Sequence, residues 1–260
     1  MDSSEQNRPL DEAGQNVTAP RRGLSLAQRR GVTLVGLLLT LGLFLQLLPE
    51  GTRLALLRSL FEQRVVVGVL LTFSLLTLSL LWSAGQRLDA WLFLYVNLRG
   101  YHSVWMDRLM WAFTQLGSFG FALLVSAFFF TTGQRRVTVV LMLGEITLWL
   151  MVETIKALTD RGRPFTLLEG ARVIGWKALG LSFPSGHTAQ AFFLATLITS
   201  HFQFALLPRV VVYTLACLVG YTRIYVGAHY PRDVLGGALL GSVWGVMAVL
   251  VDNYLLNLPV

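Results

Sequence analysis

Seven stretches of this chain are apolar and long enough to approach the width of a bilayer: residues 31–48, 65–82, 117–133, 137–155, 188 to about 207, 210–226 and 234–250. A helix needs roughly 20 consecutive apolar residues to cross the hydrocarbon layer. Only helices and closed barrels satisfy their backbone hydrogen bonds there, and runs of this length are helical. Composition agrees. Of the 260 residues, 54% are hydrophobic and 13% charged, with a mean hydropathy of +0.61, against about 25% charged in a soluble domain. The expected fold is an all-α, polytopic transmembrane helix bundle, with six core-type helices among seven candidate spans.

The remaining segments have other characters. Residues 1–30 are polar and rich in turn formers, and turn basic at Arg21, Arg22, Arg29 and Arg30. They read as a flexible tail. They do not read as a cleaved signal peptide, because the polar stretch is too long and no convincing small-x-small site follows the first apolar run. Residues 88–116 alternate aromatics and charges at helical spacing, the pattern of an amphipathic helix lying on the interface. Trp82, Trp91, Trp105 and Trp111 suit an aromatic belt. Gly237, Gly241 and Gly245 fall four apart in the last segment, a spacing that lets helices approach closely. The organisation that follows is a tail (1–30), N-terminal transmembrane segments (31–84) and a membrane domain carrying the chemistry (85–256).

Net charge is +7. In a membrane protein such an excess serves cytoplasmic loops or a site for an anionic substrate. No basic run is long or interleaved with aromatics, which argues against a nucleic-acid partner. Cys217 is the single cysteine, so the chain forms no internal disulfide.

Two polar clusters interrupt the spans, at residues 156–183 and 222–233. One segment leaves the first cluster's side and the next returns to it, so both lie on one side of the membrane. Lys156 and Arg163 are two helical turns apart, and Pro164 ends the helix there. Two fixed cations near a helix end can hold a phosphate. "PSGH" (184–187) puts Ser185 and Gly186 at a helix start, where free amides attract an anion and glycine lets it come close. His187 then stands beside that anion. In the second cluster Pro231 suits the first position of a helix. Asp233 then falls in its first turn and can reach back to His229, fixing one imidazole nitrogen and leaving the other as nucleophile or base. Arg223 adds a further cation.

These three blocks resemble the signature of the type 2 phosphatidic acid phosphatase superfamily: KxxxxxxRP, PSGH and SRxxxxxHxxxD. Here they read Lys156…Arg163-Pro164, Pro184-Ser185-Gly186-His187 and Arg223…His229…Asp233, with Thr222 where the family usually has serine. The likeness covers roughly residues 85–250. It implies a membrane lipid phosphatase acting on a phosphomonoester or diphosphate, such as undecaprenyl diphosphate, phosphatidylglycerophosphate, phosphatidic acid or diacylglycerol diphosphate. It implies His229 as the nucleophile forming a phosphohistidine, and Asp233 as its orienting carboxylate. His187 becomes the acid that protonates the leaving oxygen and the base that activates water. Lys156, Arg163, Ser185, Gly186 and Arg223 become phosphate ligands. It implies neither metal nor cofactor.

Two other functions are open to the same residues: phosphotransfer to a lipid or sugar hydroxyl, and non-catalytic carriage of a lipid phosphate. Vanadium haloperoxidases share this kind of site, but the apolar spans argue against them. The family arrangement puts the site on the extracytoplasmic face of the cell membrane, with "GQRR" (133–136) inside. Whether residues 31–48 span decides where the tail lies. Two carboxylates in the fourth span need partners. Glu153 is expected to pair with Lys156, and Glu145 to find a structural hydrogen bond. His102 and His201 match no block and are expected at the interface.

Overall fold

A computed structural model describes residues 64–256 apart from 100, 101 and 178, together with seven isolated helical positions between 35 and 58. The expected tail and nearly all of the first span lie outside the described residues. Numbering helices from the first described in full, the chain forms α1 (Arg64–Ser79), α2 (Ser83–Arg99), α3 (Val104–Thr114), α4 (Phe119–Thr131) and α5 (Arg135–Thr159). There follow α6 (Pro164–Leu167), α7 (Gly186–His201), α8 (Leu206–Tyr225) and α9 (Pro231–Leu256). A 3₁₀ turn, Gln115–Gly117, precedes α4. The fold is an all-α transmembrane bundle. α8, α9 and the run from α5 to α6 are long and apolar enough to cross a membrane individually. The pairs α1–α2 and α3–α4 meet the same test only as bent units, turning by 95° and 57°.

α7 is the axis. It has 16 residues, and ten of them are buried, on all its faces. α9 packs along it through its glycines. A Cβ on Gly237 would fall 2.5 Å from the Ser185 carbonyl oxygen, and one on Gly241 2.1 Å from that of Ala189. One on Gly245 would fall 2.5 Å from Thr196 Cβ. Lipid tails are as apolar as leucine, so helices in a bilayer associate through such close packing and not by escaping solvent. The expected packing role of these glycines is therefore borne out. A second layer fills against it, with Leu141, Leu148 and Val152 of α5 meeting Phe193 and Leu197 of α7.

The segment expected as one amphipathic interfacial helix is two helices, α2 and α3, and the polarity of α2 is reversed. Asp89, Phe93 and Asn97 are buried at four-residue spacing, while Leu88, Trp91, Tyr95 and Leu98 are exposed. Its polar groups serve the protein interior. Asn97 donates to the Arg172 and Tyr225 carbonyls and accepts from the Arg172 amide.

The two ends of the bundle are chemically distinct. At one end Asp252 of α9 accepts from Arg136 of α5 and pairs with His201 of α7 at 2.8 Å, tying three helices together. The starts of α7 and α9 and the end of α5 meet at the other.

Gly241→Ala should drive a methyl into the α7 backbone, at a cost of about 1–3 kcal/mol for overpacking. Gly68→Ala, where no atom lies within 4 Å of the new methyl, should be neutral. Thermal unfolding midpoints in one detergent check the pair, and equal midpoints would remove the close helix contact from the account.

Candidate functional site: a cationic cavity at one end of the bundle

α5 ends at Thr159, where Asp160 adopts a left-handed conformation with φ 49°. The chain then turns across the bundle's end, and Arg163 caps α6 with Pro164 at its first position. Lys156 thus points from the last turn of α5 while Arg163 comes from the turn beyond it. α7 begins at Gly186 with Ser185 as N-cap. α8 brings Arg223 in its last turn, and α9 begins at Pro231. Four helix termini therefore deliver the clusters to one place.

Lys156, Arg163, Gly186, His187, Arg223 and His229 line a single cavity of about 250 Å³. Leu148, Trp149 and Val152 of α5 and Phe119 of α4 complete an apolar side. A Cβ on Gly186 would meet only Val152 Cγ1, at 3.8 Å. This glycine therefore leaves space over the helix N-terminus where an anion is favoured. Gln190, one turn further along α7, also faces the cavity.

The other two expected site residues stand behind the wall. Ser185 is fully buried, its hydroxyl accepts from Thr188 Oγ1 at 2.9 Å, and its amide donates to the Asp233 carbonyl at 2.9 Å. Its amide is engaged, while its hydroxyl, which accepts from Thr188, keeps its own hydrogen to donate. Asp233 is also fully buried, and its carboxylate lies 3.7 Å from His229 Nδ1, beyond a hydrogen bond. His229 Nδ1 instead donates to the Ser182 carbonyl at 2.8 Å. The two stay within ion-pair distance, and Ser182 touches both. Ser182 holds the imidazole with its carbonyl and donates its hydroxyl to Asp233 Oδ2. The tautomer is fixed all the same, because an Nδ1 that donates leaves Nε2 with its lone pair.

Asp233 is held by more than Ser182. It accepts from the Tyr230 amide at 2.8 Å and from Arg161. Arg161 also bonds Asp89 and Gln86 of α2, and its guanidinium lies 4.3 Å from the centre of the Tyr230 ring. Arg232 bonds Asp89 and the Ser79 carbonyl. Sequence reasoning missed Arg161, Ser182 and Asp89. The first is an extra arginine inside the KxxxxxxRP block and the second lies two residues before Pro184. For Asp89 no local signal exists, since it and Asp233 each lie 72 residues from Arg161.

Arg163 is less free than its motif suggests. It donates to the Gly180, Leu179 and Ala228 carbonyls, and its Nη1 lies 3.2 Å from His229 Nε2. Arg223 donates to Thr114 Oγ1 at 2.7 Å, and its Nε is buried with no hydrogen-bond partner. Lys156 pairs with Glu153 at 2.7 Å, as expected. Glu145 is fully buried, with the Gln190 side chain as its polar neighbour though outside good hydrogen-bond geometry. His102 contacts the Tyr225 hydroxyl at 3.1 Å and lies outside the cavity. Among the described residues no cluster of three or more His, Cys, Asp or Glu side chains could hold a metal ion.

Residues 135–256, which hold all three blocks, match the PAP2 superfamily. Phosphatidylglycerophosphatase B of Bacillus subtilis is 30% identical over 151 residues, covering 53% of this chain and 70% of that protein. The chain belongs to the PAP2 superfamily. An undecaprenyl-diphosphatase of Sulfolobus acidocaldarius is 26% identical over 166 residues, covering 62% of this chain and 70% of its own. A lipid A 1-phosphatase of Rhizobium johnstonii is 45% identical over 75 residues, which span only 28% of that protein. Among solved structures, the transmembrane PAP2-type phosphatidylglycerophosphate phosphatase of Bacillus subtilis superposes with a TM-score of 0.62 at 25% identity, covering 75% of this chain and 98% of that one. Aquifex aeolicus LpxE superposes with a TM-score of 0.54 at 32% identity, covering 61% and 93%. This PAP2 protein is an integral membrane enzyme, a lipid phosphatase.

Burial, with Arg163 and Arg223 adding to it, pushes the His229 imidazole down to about 3 from 6.5. As the pH falls through 6.5 the unfolded chain takes up a proton that the folded protein refuses until about 3, so acidification withdraws stability across that window. His229→Gln has no such proton to refuse. Its unfolding midpoint should fall less than that of the wild type between pH 7 and pH 4, and parallel curves would contradict the buried neutral imidazole.

Arg161→Ala should leave two buried carboxylates short of a cation, a loss of about 3–5 kcal/mol for a broken buried pair. Phosphate release should fall with it, because Asp233 and Ser182 lose a fixed partner. Unfolding and activity measured on one preparation check this, and unchanged values for both would dismiss the network.

Proposed function

We propose that this PAP2 phosphatase hydrolyses a lipid phosphate or diphosphate through a phosphohistidine on His229. The observation that carries the reading is the state of that imidazole. Nδ1 donates to the Ser182 carbonyl, and Nε2 keeps its lone pair, 3.2 Å from the Arg163 guanidinium, in the wall of a cavity that three cations and His187 share. Nε2 attacks phosphorus as the bond to the leaving oxygen breaks, and His187 gives that oxygen a proton. In the second step His187 takes a proton from water, whose oxygen displaces Nε2 and releases phosphate. Lys156, Arg163, Arg223 and the Gly186 amide bind the phosphoryl oxygens. Phosphoryl transfer asks for positioned charge more than covalent help. Asp233 acts through Ser182, stabilising the positive charge that builds on His229.

The names of the relatives suggest undecaprenyl diphosphate, phosphatidylglycerophosphate and lipid A as substrates to try. The face is proposed as extracytoplasmic and the membrane as the cell membrane, because Arg135 and Arg136 begin α5 at the end opposite the site and positive residues favour the inside. A phosphate held between membrane helices is reached by a lipid already concentrated and aligned there.

His229→Ala should release no phosphate, since no neighbouring group replaces the nucleophile. The wild type in mixed micelles should act on a long-chain diphosphate lipid with a kcat/KM at least a hundredfold above that for glucose 6-phosphate, and should keep its activity in EDTA. Equal efficiency on both would contradict the lipid assignment. Loss in EDTA restored by magnesium would contradict a site whose charge comes from side chains. Phosphorylated acceptor in place of free phosphate would make it a phosphotransferase.

A further inference from the structure

A cavity built to hold an anion gains nothing from a carboxylate in its wall, yet Glu153 stands in the wall of this one. It is the single acidic side chain among the described residues that line the cavity, beside Lys156, Arg163 and Arg223. A like charge at close quarters opposes the dianion that those cations attract. Helix stability does not call for it either. Its 2.7 Å contact with Lys156 is an i,i+3 pair on a half-exposed side chain, a kind that adds little to a helix.

The three cations are held in different ways. Arg163 donates to backbone carbonyls, and Arg223 donates to the Thr114 hydroxyl. Those partners are neutral and leave each guanidinium its charge. Lys156 is met by Glu153 alone among the described residues, and its charge is cancelled there. The pair is also lopsided. The Lys156 side chain is 13% exposed and the Glu153 side chain 48%, so the cation is fixed inside while the carboxylate is free to swing outward. Glu153 lies six residues before the end of α5 at Thr159. That is about 9 Å along the axis at 1.5 Å per residue, close to the level of water and head groups.

Resting on the reading of this cavity as the phosphate site, we propose that Glu153 is a tethered competitor for phosphate. It occupies Lys156 in the empty site, gives way to the phosphoryl group of the substrate and returns to Lys156 as inorganic phosphate leaves. The gain lies in product release. Inorganic phosphate offers the cations the same oxygens as the substrate, so cations strong enough to take the one would retain the other. A competitor weakens both according to the fraction of time it holds Lys156. A site open one time in ten binds about tenfold more weakly. The lipid substrate tolerates this loss, because the membrane surface concentrates it and delivers it aligned. Free phosphate has no such help and departs. Binding common to substrate and product is thereby held down without touching the groups that act on phosphorus.

The test uses the full chain in detergent, with inorganic phosphate as the probe. By titration calorimetry, Glu153→Gln should bind phosphate at least fivefold more tightly than the wild type. The inhibition constant for phosphate during turnover of dodecyl phosphate should fall by a similar factor. Glu153→Asp, which keeps the charge, should stay within twofold of the wild type. Glu169→Gln, which removes an exposed carboxylate outside the cavity wall, should change nothing. Equal or weaker phosphate binding by Glu153→Gln overturns the proposal. So does Glu153→Asp behaving as the amide does, and so does an equal gain from Glu169→Gln, the mark of general surface charge. A protein that binds phosphate in the expected pattern but releases none from any lipid phosphate or diphosphate would instead overturn the phosphatase reading, a result distinct from the other three.

Discussion

The contact of α7 with α9 through three glycines is the constraint on which the rest depends. It brings two backbones closer than any side chain would allow. Its consequence lies at the end of the contact. With Gly237 against the Ser185 carbonyl, and the Ser185 amide on the Asp233 carbonyl, the first turns of the two helices are locked in register. His187 and His229 come from different helices and different sequence blocks, yet they meet across one small cavity because this register leaves them no other place.

A second constraint is electrostatic. Asp233 sits where a lone carboxylate is costly, and Arg161, Ser182 and the Tyr230 amide offset that cost. Arg161 in turn needs Asp89, which Arg232 also holds. The chain of charges explains why α2 turns its polar face inward. Lipid or interface receives Leu88 and Trp91, and the protein receives Asp89. A helix read alone looks amphipathic in either orientation, and only its partners decide which face is wet.

Much was legible beforehand. The helices α1, α4, α5, α7, α8 and α9 fall where the apolar stretches put them, because burying an unpaired backbone in lipid is prohibitive, although only the run from α5 to α6, α8 and α9 are long enough to cross alone. Three motif blocks, each at a helix end, located Lys156, Arg163, Gly186, His187, Arg223 and His229 around one cavity. Short-range geometry was less legible. Asp233 at the fourth position after His229 suggested a direct bond, but the turn places the Ser182 carbonyl nearer to the imidazole. A serine before a helix suggested a ligand, and its amide proves to be spent on Asp233 while its hydroxyl accepts from Thr188. Pairings across 72 residues, such as Arg161 with Asp89, leave no trace in local sequence.

The brevity of α7 bears on the membrane itself. Sixteen residues rise about 24 Å at 1.5 Å each, less than a hydrocarbon layer of about 30 Å. Neighbouring helices enclose α7, and α8, α9 and the run from α5 to α6 supply the length that it lacks, so the mismatch is met by protein and not by lipid. A short helix can therefore carry His187 at its start without thinning the bilayer around it.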